Sequence, residues 1–73
     1  MRLLKECLLC EVPEGKECQI DGSWYLVHQH GINSTHVELK SEYFKPEDEV
    51  YYLEIGDTQY YRNDLVVITE VPD

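Results

Sequence analysis

Apolar and polar positions alternate with a period of two along most of this chain. The cleanest run is 35–40, where Thr35, Val37 and Leu39 point one way and His36, Glu38 and Lys40 the other. That alternation predicts a half-buried antiparallel strand. Upstream, Asp21-Gly22 separates two runs of strand-forming residues. A two-residue type I′ turn needs φ > 0 at both central positions, which Asp tolerates and Gly accepts freely. Closing the chain there pairs Ile20 with Ser23, Gln19 with Trp24 and Cys18 with Tyr25. One face then carries Cys18, Ile20, Tyr25 and Val27, and the other carries Trp24 and Leu26. A strand apolar on both faces belongs in a closed or doubly covered sheet, so 24–27 is expected to be a core strand.

The remaining segments follow the same logic. Gly31 and Asn33 mark a turn over 29–34. A four-residue loop there pairs Gln29 with His36 and sends His28 and His30 to the face opposite Gln29, whereas a loop one residue longer pairs His30 with His36. Runs 50–55 and 58–62 predict a second hairpin through Gly56-Asp57, with Gly first as a type II′ turn requires. In that hairpin Tyr51, Leu53, Ile55 and Tyr60 share the core side, while Val50, Tyr52, Glu54, Gln59 and Tyr61 share the outer side. Between the hairpins, 41–49 reads as a loop with Phe44 tucked under the sheet. Asn63-Asp64 is a further turn before a last strand over 65–71. Residues 2–11 are ambiguous: Leu3, Leu4, Cys7, Leu8 and Cys10 suit a short amphipathic helix, and a strand is the alternative. Five or six short strands without a long helix predict a mainly β domain over 1–73. The expected architecture is a small antiparallel β-barrel or strongly curved sheet, SH3-like or OB-like.

Composition narrows the function. A chain of 73 residues makes one domain with a limited core, a size at which staples such as metals or partners are common. Fifteen acids against six bases give a net charge of −9. Residues 1–40 hold six acids and four bases, and 41–73 hold nine acids and two bases. Such a chain repels phosphate backbones and is attracted to basic surfaces, so direct nucleic-acid binding is not expected. No apolar run is long enough for a signal peptide or a membrane span, and three cysteines fit a reduced, cytoplasmic protein. Asn33-Ser34-Thr35 matches the glycosylation triplet but reads here as a turn.

The sequence offers four candidate chemistries. Cys7-Leu8-Leu9-Cys10 with Cys18 could hold zinc, with a histidine as fourth ligand. The two leucines between the thiols and the absence of a second paired motif favour core packing, so no cofactor is expected. His28, His30 and His36 read as surface residues of a hairpin. No G-x-S-x-G, H-E-x-x-H or Gly-rich phosphate loop is present, and the expectation is not an enzyme. Tyr52 and Tyr61, predicted as an outward cross-strand pair, lie near Glu54 and the acidic run Glu47, Asp48 and Glu49. These six form the candidate partner-binding set, because tyrosine is enriched at interfaces and the acids suit an Arg- and Lys-rich counterpart.

Segments 12–27 (Val-Pro-Glu-Gly-Lys-Glu-Cys-Gln-Ile-Asp-Gly-Ser-Trp-Tyr-Leu-Val) and 60–68 (Tyr-Tyr-Arg-Asn-Asp-Leu-Val-Val-Ile) resemble turns of small β-rich bacteriophage proteins, 16 and 9 of the 73 residues. The resemblance carries no diagnostic motif and assigns no functional residue. It implies a small acidic regulator that binds a basic surface of a host nucleic-acid machine, first of all bacterial RNA polymerase. The alternatives are a nucleic-acid mimic that inhibits a defence nuclease, or a zinc-stabilised or small-ligand-binding module.

Overall fold

The computed structural model describes residues 3–41 and 55–71. Among the described residues six strands make one antiparallel sheet: β1 (Leu4–Leu8), β2 (Glu17–Ile20), β3 (Ser23–His30), β4 (Ser34–Ser41), β5 (Thr58–Arg62) and β6 (Val66–Glu70). Their order across the sheet is β1-β6-β2-β3-β4-β5, so β6 slots between the first two strands. The segment whose helix-or-strand choice was open is a strand followed by a single 3-10 turn, Leu9–Glu11. Pairing decides it: β1 runs against β6 from Leu4↔Glu70 to Leu8↔Val66, which satisfies a backbone too short to stand as an isolated helix.

The Asp21-Gly22 turn forms as its chemistry requires. Asp21 has φ 52 and Gly22 φ 86, and the predicted pairs Ile20↔Ser23, Gln19↔Trp24 and Cys18↔Tyr25 are all present. Cys18, Ile20, Tyr25 and Val27 are buried together, whereas Trp24 and Leu26 on the other face are only half-buried. Doubly covered packing of β3 is therefore not what the described residues show. Thr35, Val37 and Leu39 complete the buried side from β4.

The sheet curls but is not a closed barrel. β5 and β6 stand at positions six and two of the strand order, yet only residues 63–65 connect them. Four spacings in a flat sheet amount to about 19 Å, whereas the four steps from Arg62 to Val66 reach about 14 Å at full extension. Curling brings the two strands within reach and turns one face into an interior. Leu9 and Val12, both fully buried, cover that interior from the 3-10 segment. Backbone bonds from Leu9 N–H to Leu65 O (2.8 Å) and from Cys10 N–H to Asn63 O (3.1 Å) hold the segment in place. The two buried threonines are satisfied: Thr69 donates to the Glu17 carbonyl and Thr35 to Asn63 Oδ1.

Two register shifts interrupt the β3–β4 ladder, between Trp24 and Tyr25 and between Val27 and Gln29. In the second, Val27 pairs with Val37 and Gln29 with His36, which leaves His28 as an extra residue on β3. The loop prediction of Gln29↔His36 holds. The extra residue nonetheless reverses the alternation beyond it, so Val27 and His30 both face inward.

Candidate functional site

The outer face of β3, β4 and β5 carries a ladder of three rings. His28, pushed outward by the bulge, lies 5.3 Å from His36, centroid to centroid. His36 stacks on Tyr60 at 4.8 Å with 19° between the planes. The register explains the contact, since His36 sits directly opposite Tyr60 across the β4–β5 pair. Tyr60 is 71% exposed. His28 Nε2 also donates to Glu38 Oε1 at 2.8 Å, and Lys40 Nζ reaches Glu38 Oε2 at 3.4 Å. The histidine hydrogen bond, with the lysine charge adding to it, holds the Glu38 carboxyl below its usual range.

Tyr61 requires a correction. It was expected on the outer face, with Tyr60 on the core side, but the two are exchanged. Tyr61 is half-buried, packs on the core, and meets Tyr25 edge to face at 5.7 Å. The expectation took its parity from a hairpin with 50–55. In the structure β5 pairs with β4 from Ser34↔Arg62 to Glu38↔Thr58, and Thr35↔Tyr61 places Tyr61 beside a fully buried threonine. Gly56 does take the left-handed geometry expected of a turn glycine, with φ 100. Glu47, Asp48, Glu49, Tyr52 and Glu54, and with them Phe44 and the strand expected over 50–54, lie outside the described residues.

The histidine expectation is also revised. His28 and His36 meet on the outer face, whereas His30 turns inward and bonds to the Val12 carbonyl and to Thr35. The three cysteines are free thiols: Cys18 is buried on β2, Cys7 is half-buried on β1 and Cys10 is exposed in the 3-10 turn. Burial pushes the Cys18 thiol up to about 11. Among the described residues no three His, Cys, Asp or Glu side chains converge as a metal site, and no helix is long and apolar enough to cross a membrane.

No family model, no curated protein and no solved structure matches the chain.

Proposed function

We propose that this chain is a non-catalytic interaction protein whose open sheet face docks on a basic surface of a larger protein. The observation that supports this reading is the exposed Tyr60–His36–His28 ladder in a chain of net charge −9. Stacked rings give a rigid, partly apolar contact area that loses little conformational freedom on binding, as interface aromatics do. The chain's net charge of −9 supplies attraction for Lys and Arg, together with long-range steering. On this reading the curled sheet is an incomplete SH3-like or OB-like barrel that binds through its outer face. The partner we favour is a host machine that handles nucleic acid, with bacterial RNA polymerase first. Binding would occur in the host cytoplasm, without bound metal and without contact to nucleic acid, and would regulate or inhibit transcription.

The test is binding of the purified protein to purified bacterial RNA polymerase at several salt concentrations. Saturable binding that weakens steeply with salt supports the proposal. Absence of binding at low salt overturns the polymerase assignment, and retention of a purified defence nuclease instead would point to the inhibitor reading.

A further inference from the structure

We infer that His30 is held in this fold as a doubly protonated imidazolium, and that its two ring hydrogens form a pH-sensitive clasp joining four parts of the chain. The argument is a count of hydrogens. Asn63 Nδ2 lies 3.0 and 3.2 Å from the carbonyl oxygens of Gly31 and Ile32, which can only accept, so the amide nitrogen faces them and Oδ1 faces Thr35. Thr35 Oγ1 stands 2.6 Å from that Oδ1 and must give it the single hydroxyl hydrogen. Oγ1 is then left as an acceptor toward His30 Nδ1 at 2.9 Å, so Nδ1 carries a hydrogen. On the other side of the ring, Nε2 lies 2.6 Å from the Val12 carbonyl oxygen, so Nε2 carries one as well.

A neutral imidazole has one N–H. Either tautomer would leave a bare nitrogen against an oxygen lone pair in a half-buried site, where unmatched polar groups are costly. Turning the Thr35 hydroxyl toward Nδ1 only moves the conflict to the Thr35–Asn63 contact. The surrounding charges suit a cation. Glu14 Oε2 accepts the backbone N–H of His30 at 2.9 Å, so the nearest carboxylate the structure shows is bonded to the main chain of the same residue. Arg62 and Asp64, flanking Asn63, pair with each other at 2.8 Å. His28, His36, Glu38 and Lys40 belong to the opposite face of β3 and β4. The clasp therefore joins the 12–14 segment, the end of β3, the start of β4 and the turn after β5. Loss of one ring proton breaks one of the two contacts, to Val12 or to Thr35.

Two measurements test this. Imidazole 15N shifts of the folded wild-type protein are recorded at a pH of about 7.5, where a free imidazole is mostly neutral. Two protonated nitrogens at His30 are expected, and one bare nitrogen overturns the inference. Thermal unfolding is then compared between pH of about 6 and about 8.5, on either side of the imidazole range. The wild type should lose melting temperature as pH rises. Thr35→Val, which removes the need for Nδ1–H, should flatten that loss, and His28→Gln should leave it intact. An unchanged slope in Thr35→Val, or its disappearance in His28→Gln, also overturns the inference. Should Thr35→Val fail to fold, the wild-type spectrum decides alone.

Discussion

Tyr25 and Tyr61, 36 positions apart in sequence, meet edge to face at 78°, with their hydroxyl oxygens 3.3 Å apart. The contact binds β3 to β5 across the interior side of β4 and fixes which tyrosine of the Tyr60-Tyr61 pair is structural. Truncating Tyr61 to alanine removes a packed ring and an aromatic pair, for an expected loss of about 2 kcal/mol. Denaturant unfolding reads it directly. Tyr60→Ala should change stability by less than about 0.5 kcal/mol, as for an exposed side chain.

The turn at Asp21-Gly22 carries a second prediction. Gly22 sits at φ 86, a conformation that costs a side-chain-bearing residue about 1–3 kcal/mol. Gly22→Ala should lower the unfolding midpoint accordingly, while Asp21→Gly, which keeps φ > 0 accessible, should leave the hairpin register intact in amide spectra.

Thiol accessibility follows the burial order. Cys18 is fully buried and its thiol is pushed up to about 11, so little thiolate forms near neutral pH. Alkylation of the native protein followed by mass spectrometry should label exposed Cys10 first, Cys7 later and Cys18 last. Early labelling of Cys18 would mean that β2 does not line the core.

Glu38 gives a prediction in acid. Its carboxyl is held low by the hydrogen bond from His28 and then by Lys40. A carboxylate depressed in the folded state stabilises above its unfolded value and loses that contribution as pH falls through the folded one. Glu38→Gln should therefore flatten the acid side of the stability profile, and added salt should shrink the difference, because the pair is partly open to solvent.

What was legible in the sequence was local. The Asp-Gly turn, the β2–β3 register and the alternation of β4 depend on neighbours a few positions away, and all three appear as expected. The facing of β5 was not legible, because it is set by its pairing with β4, twenty or more residues earlier in the chain. The β1–β6 ladder joins the two ends of the described chain, and a Leu- and Cys-rich segment of ten residues fits helix and strand alike. Strict alternation put His28 on the face opposite His36; one extra residue in β3, which period-two reasoning cannot anticipate, brings the two rings together. Tyr60, the exposed member of the ladder, was the residue missed, and the signal that could have found it is its position opposite His36.

Measuring Tyr60→Ala and Tyr61→Ala side by side, for both melting temperature and affinity toward RNA polymerase, tests the two-faced reading of this sheet most directly. The account predicts that Tyr60→Ala melts as the wild type does and binds at least about tenfold more weakly, the size of a modest interface anchor. It predicts that Tyr61→Ala melts lower and, while folded, binds with little change. Full binding by Tyr60→Ala, or a loss of binding confined to folded Tyr61→Ala, would contradict it.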